Sequence, residues 1–178
     1  MKTYSTDKIR NVALLGHSSC GKTTITEALL FNTKVTNRMG KVEDGNTVSD
    51  FDKEEKERQV SIGTSIIPIE YQDTKINFLD TPGYFDFVGE VYGALKVADS
   101  AVLVIDASSG VEVGTEKSWK YLEQRNIPRI IFVNKLDKEN IKFDELLDGL
   151  RDRFGKKVVP FALPIGKGEN TDGYMDIL

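Results

Sequence analysis

Gly16-His17-Ser18-Ser19-Cys20-Gly21-Lys22-Thr23 has the spacing G-x-x-x-x-G-K-[ST], which cradles phosphate when it joins a strand to a helix. Its glycines let the backbone wrap phosphate oxygens so that successive N–H groups point inward. The N-terminus of the following helix adds partial positive charge. On this reading His17, Ser18, Ser19, Cys20, Gly21, Lys22, Thr23 and Thr24 form the phosphate cradle. Lys22 reaches the β- and γ-phosphates, and the Thr23 hydroxyl takes a place on Mg²⁺. The alternative is a glycine turn with an incidental Lys-Thr.

Asp80-Thr81-Pro82-Gly83 closes the apolar run Ile76–Leu79. A carboxylate at the C-terminal end of a parallel strand faces the ligand crevice, so Asp80 is a second magnesium-holding group, acting through a water. Gly83 leaves its N–H free to approach a γ-phosphate. By itself the segment also reads as an ordinary Pro-Gly turn. Asn134-Lys135-Leu136-Asp137 follows Ile130–Val133. The Asp137 carboxylate can accept two parallel hydrogen bonds from N1–H and the exocyclic amine of guanine. Adenine lacks that donor pair, so a mismatch leaves buried polar groups unpaired. Asn134 is expected to brace the base against the phosphate loop, and the stem of Lys135 to cover the ring. The nucleotide implied is GTP or GDP with Mg²⁺.

Such residues need strand ends to hold them. Short apolar runs alternate with helical spacing, the pattern of an α/β fold with a mainly parallel sheet; with the phosphate loop this predicts a P-loop NTPase fold. Val12–Leu15 reads as the first strand. Ile25, Ala28 and Leu29 form the apolar face of a helix over 22–31. Residues 33–59 lack periodicity and end in a charge run, which a solvated helix turn would explain. Strands are expected over 61–71 and 75–79, joined by a turn at Gln72-Asp73-Thr74. Helical spacing returns at Val88, Val91, Leu95 and Ala98. A strand at 101–105, a helix over 115–124 and a strand at 129–133 follow. Phe143, Leu146, Leu147, Leu150 and Phe154 make an amphipathic helix. The expected organisation is a GTP-binding domain over 1–155 and the start of an inserted subdomain over 156–178, with a possible strand at 157–164.

The 178 residues suit one domain, and an apolar fraction of 39% suffices for one core. A net charge of -4 lacks the broad basic field that non-specific nucleic-acid binding uses, so direct DNA binding is not expected. Cys20 stands alone, which excludes an internal disulfide. No apolar run matches a signal peptide or a membrane span. A cytoplasmic, monomeric chain without membrane contact is the expectation.

The combined motifs resemble the GTP-binding domain of translational GTPases, and within them the elongation factor G family. The resemblance rests on the loop beginning Gly16-His17, on residues 80–87, on Val104-Ile105-Asp106-Ala107, Gly110-Val111-Glu112 and Asn134-Lys135-Leu136-Asp137, and covers nearly the whole chain. Glu57-Arg58-Gln59-Val60-Ser61-Ile62 resembles the switch segment written Arg-Gly-Ile-Thr in that family. The resemblance implies a GTP hydrolase with a ribosome as partner of the full-length parent. It makes Ser61 the third magnesium ligand beside Thr23 and Asp80, in place of the switch threonine; otherwise Ser61 only starts a strand. The catalytic set implied is Lys22, Gly83 and Tyr84.

Three residues depart from the family pattern. Tyr84 replaces the histidine that positions the attacking water, and a phenol is a poor base near neutral pH. Hydrolysis is then slow or helped in trans, unless Tyr84 merely packs. Ser19 replaces an aspartate, and Ser18 an apolar gate residue. His17, the one histidine, is open to two readings: a substitute base, or a packed ring. Cys20 reads as a redox site or as a small buried side chain. No serine follows Ser118, so the Ser-Ala loop that this class uses against guanine is missing. Phe161–Gly166 resembles the opening of the subdomain inserted before it. A chain cut before its last core strand and helix, with weaker nucleotide affinity than an intact domain, is therefore expected. A GTP-gated ribosome-binding module with little hydrolysis, and a tetracycline-type ribosome protection protein, are the alternative functions.

Overall fold

The computed structural model describes residues 2–166, 168 and 172–177. Strands β1 (Ile9–Gly16), β2 (Ser65–Tyr71), β3 (Thr74–Asp80), β4 (Ser100–Asp106) and β5 (Arg129–Asn134) form one sheet in the order β2-β3-β1-β4-β5. All neighbours are parallel except the β2–β3 hairpin. Helices α1 (Lys22–Asn32), α2 (Lys53–Arg58), α3 (Val88–Leu95), α4 (Val113–Gln124) and α5 (Phe143–Phe154) fill the connections. A separate two-stranded sheet, β6 (Ala162–Ile165) with β7 (Gly173–Asp176), follows. The α/β class and the mainly parallel sheet match the sequence expectation.

The sheet buries two apolar clusters. Ala13 and Leu15 of β1, Leu79 of β3 and Leu103 of β4 pack with Val91 and Leu95 of α3 and Leu122 of α4. Leu30 of α1 packs with Ile67 and Ile69 of β2 on a smaller cluster. The helix spaced at Val88 and Val91 stops at Leu95 and does not reach Ala98. On α5, Leu150 is buried and the Phe154 ring stacks on Trp119 at 4.3 Å.

Four features of these elements, set beside the sequence reading, have physical causes. First, the most buried side of α1 is Thr26, Glu27 and Leu30, whereas Ile25, Ala28 and Leu29 are half-buried. The polar side faces a long loop that brings its own amide donors. Second, residues 53–58 in that loop form the helix turn that would explain the charge run, closed by a capping box between Asp52 and Glu55. Third, β2 starts at Ser65, because the amides of Ile62 and Gly63 are taken by the Glu55 carboxylate and not by a strand partner. Fourth, only Ala162–Ile165 of the 157–164 run pairs as a strand. The β2–β3 turn is two residues long, Gln72 and Asp73, both at positive φ, the twist that suits a hairpin.

Strand order reverses at β1, since the chain goes from β1 to β3 on one side and to β4 on the other. That reversal opens a crevice at the carboxyl ends of the strands. Gly16, Asp80, Asp106 and Asn134 are the last residues of β1, β3, β4 and β5. The polar residues singled out in the sequence therefore emerge along one edge.

Candidate functional site

The phosphate loop runs from Gly16 at the end of β1 to Gly21, the left-handed N-cap of α1. Lys22 folds back into it. Its Nζ donates to the Gly16 carbonyl at 3.2 Å and the His17 carbonyl at 2.8 Å, and the residue is 6% exposed. A cavity of about 370 Å³ opens here. Ser18, Ser19, Gly21, Lys22, Thr23 and Thr24 line one side of it; Ser61, Gly83, Tyr84 and Lys135 are among the residues that line the rest. Gly83 lies so close that a Cβ there would sit 2.7 Å from Lys22 Nζ. A cavity of about 460 Å³ near the start of α5 and β6 contains no phosphate-loop residue.

Two hydroxyls meet at the cavity floor: Thr23 Oγ1 and Ser61 Oγ are 3.2 Å apart. Asp80 is 1% exposed, and neither carboxyl oxygen has a hydrogen-bond partner. Burial pushes its pKa up to about 6, against the pull of Lys22 and of the Ser49 and Thr23 hydroxyls. Asp50, which the sequence reading missed, is also buried and lines the cavity. Its Oδ1 is unpartnered, and burial raises its carboxyl while Ser61 opposes. Nothing periodic surrounds Asp50 in the sequence to reveal it. Among the described residues no cluster of three or more His, Cys, Asp or Glu is built to hold a metal. What the cavity offers is hydroxyls and unpaired buried carboxylates. Those fit a hard ion such as Mg²⁺, which keeps several waters and binds phosphate oxygens.

The base-side residues connect to the same loop. Asn134 Nδ2 donates to the Cys20 carbonyl at 2.9 Å. Lys135, at φ 61, donates to the Ser19 carbonyl at 2.6 Å and pairs with Asp106 at 2.7 Å. Burial works to raise the Asp106 carboxyl. The Lys135 hydrogen bond, with the Ser108 hydroxyl and amide, outweighs it and holds the group well below the usual carboxylate range. Asp137 is exposed on the loop after β5.

His17 turns away from the cavity. Its Nε2 lies 3.5 Å from Glu112, and its ring meets Phe85 edge-on at 6.2 Å. Burial pushes the Cys20 thiol up against the pull of Lys22, the opposite of an activated thiolate. Tyr84 is 44% exposed at the mouth.

The raised Asp80 pKa predicts a stability effect. Well below pH 4 the carboxyl is neutral in both the folded and the unfolded state, so no charge is buried there. Between about pH 4 and about 6 the unfolded chain gives up this proton while the folded one keeps it, so stability falls over that window by about 3 kcal/mol and stays lower above it. Asp80→Asn should therefore raise the melting temperature of nucleotide-free protein in EDTA near pH 7.5, and leave it nearly unchanged near pH 4. Equal effects at both pH values would contradict the assignment.

The chain matches the elongation factor Tu GTP binding domain over residues 7–171 and belongs to that family. It is thus a translation-factor GTPase domain by class. Its relatives make it elongation factor G-like. It is 39% identical to elongation factor G of Granulibacter bethesdensis over 178 residues, all of this chain and 26% of that protein. It is 39% identical to the mitochondrial ribosome-releasing factor 2 of Culex quinquefasciatus, over 99% of this chain and 24% of that protein. A crystal structure of a Thermus thermophilus protein superposes with a TM-score of 0.90 at 41% identity, covering 95% of this chain and 25% of that one. The chain thus spans about a quarter of the length of these relatives. Among the described residues no helix is long and apolar enough to cross a membrane.

Proposed function

We propose that this chain is the GTP-binding and GTP-hydrolysing switch of a translation factor that acts on the ribosome in the cytoplasm. One observation carries the reading most. The Thr23 hydroxyl, paired with that of Ser61, and the Lys22 charge both act on the buried Asp80 carboxyl. Ser61 belongs to the long loop and Thr23 to the phosphate loop, so a ligand shared by both would couple nucleotide state to loop position. Thr23, Ser61 and, through water, Asp80 would hold Mg²⁺, which supplies charge neutralisation on the β- and γ-phosphates. Lys22 binds the same charge as a fixed donor. The Gly83 amide would donate to the γ-phosphate, and Asp137 would select guanine. The Tyr84 hydroxyl orients the attacking water without taking its proton.

Single-turnover GTP hydrolysis by the intact protein, with and without ribosomes, tests this. Acceleration by ribosomes is expected; its absence favours a second reading, a GTP-gated binding module that scarcely hydrolyses. Tyr84 is the feature behind that alternative. Supplying an imidazole where the phenol stands, Tyr84→His should raise the ribosome-stimulated rate about tenfold or more. An unchanged rate would mean that residue 84 does not position the water. The ribosome protection reading predicts release of ribosome-bound tetracycline in the same mixtures.

A further inference from the structure

Helix α4 touches both the phosphate loop and the segment that follows Asp80. Its first turn packs on His17. The Glu112 carboxylate, at the helix N-cap, lies 3.5 Å from His17 Nε2. A Cβ at residue 114 would stand 2.5 Å from His17 Nδ1 and 2.8 Å from His17 Cα, so glycine is what allows this approach. Three residues further along α4, Lys117 places its Nζ 3.7 Å from the centre of the Phe85 ring. The same ring meets His17 edge-on. An ammonium is attracted to the negative face of an aromatic ring within about 6 Å, so the Lys117 contact is a close one. Phe85 is 40% exposed, and these two ring contacts hold it where burial does not.

Phe85 directly follows Tyr84. The Tyr84 side chain is half exposed at the cavity mouth, so its place is set mainly by the backbone on either side. On one side Gly83 lies against the phosphate loop, where a Cβ would be 2.7 Å from Ser18 Cα. On the other, Phe85 opens a short 3-10 turn in which the Phe87 amide donates to the Tyr84 carbonyl at 3.2 Å. A displaced Phe85 ring would carry Tyr84 with it.

We propose that Lys117 and Phe85 are positioning residues for GTP hydrolysis: the Lys117 ammonium pins the Phe85 ring beside His17, and the pinned ring seats the Tyr84 hydroxyl at the cavity mouth. The proposal rests on the reading of this chain as a GTP hydrolase in which Tyr84 orients the attacking water. It gives α4, which contributes no described residue to the cavity lining, control over the geometry of the reaction. Neither Lys117 nor Phe85 lines the cavity, so neither should alter nucleotide affinity.

Two measurements test it. His17 is the one histidine of the chain, so its ring C–H signals stand alone in an NMR spectrum and sense the ring current of Phe85. Phe85→Leu should shift them. Lys117→Gln removes the charge, keeps most of the stem, and should shift them in the same direction. Lys117→Arg should leave them near wild type, as should Lys120→Gln, a change at another exposed lysine of α4. Ribosome-stimulated GTP hydrolysis by the intact protein reads the consequence. Lys117→Gln should lower kcat about threefold, the scale of an exposed cation–π contact, with KM for GTP unchanged. Lys117→Arg should restore kcat, and Phe85→Leu should lower it about tenfold. In a Tyr84→Phe background, where the hydroxyl is already gone, Lys117→Gln should cause no further loss. Wild-type His17 signals in Lys117→Gln overturn the proposal. So does a full threefold loss from Lys117→Gln on top of Tyr84→Phe, or a loss that arginine fails to restore. Absence of hydrolysis by wild type, with ribosomes and without, would instead remove the hydrolase reading and the catalytic role with it, while shifted His17 signals in Lys117→Gln would still establish the contact.

Discussion

Lys22→Ala is expected to weaken GTP binding at least about a hundredfold, measured by calorimetric titration. The ammonium is 6% exposed and sits inside the phosphate loop, donating to the Gly16 and His17 carbonyls. It does two jobs at once. It braces the loop from within, and it provides the one lysine charge aimed at the cavity from the α1 N-terminus. Losing a charge-assisted donor in a poorly hydrated site costs about 3 kcal/mol or more, which is about two decades of affinity. Arginine should not rescue it. Gly83 lies so near the Nζ position that a single Cβ at residue 83 would already be 2.7 Å from it, and a guanidinium is bulkier and planar. The loss should be larger for GTP than for GDP, because Lys22 is read as reaching the γ-phosphate. A fall of less than about threefold would mean that the loop grips no triphosphate.

Asp137→Asn is expected to move base preference from guanine to xanthine. The change turns one carboxylate acceptor into an N–H donor, so guanine's exocyclic amine meets a donor across a desolvated contact. Xanthine carries a carbonyl there and restores the match. GTP affinity should fall, and XTP affinity rise, by a factor on the order of a hundred to a thousand. The substitution is local. Asn134 and Lys135 hold their loop through the Cys20 and Ser19 carbonyls and through Asp106, none of which involves residue 137. Competition against a fluorescent GDP reads both nucleotides. Equal loss of GTP and XTP would show that Asp137 shapes the loop and does not read the base.

The strand ends were legible because phosphate and base groups must follow buried strands, and Val12–Leu15, Ile76–Leu79 and Ile130–Val133 are short apolar runs of that kind. Helix α5 was legible from its apolar period, borne out by buried Leu150 and stacked Phe154. The long loop was not. Glu27, Asp50 and Glu55 look like solvated charges in the sequence, because local patterning carries no sign of a carboxylate satisfied by distant amides. Glu27 takes its donors from 13 and 21 residues away. The apolar face expected on α1 is only half-buried, with Leu29 packed against the Leu30 cluster, because the deeper side takes Glu27, whose carboxylate meets the loop's amides. Val158–Phe161 shows the limit of β-propensity, since a strand forms only where a partner, here β7, is available.

Equilibrium competition between GTP and ATP for the intact protein, in excess Mg²⁺, tests the central claim most directly. A cage of amides closed by Lys22, with Asp137 on the base, predicts GTP displacing labelled GDP at concentrations at least about a thousandfold below those needed for ATP. ATP competing as well as GTP, or no displacement by either, would contradict it.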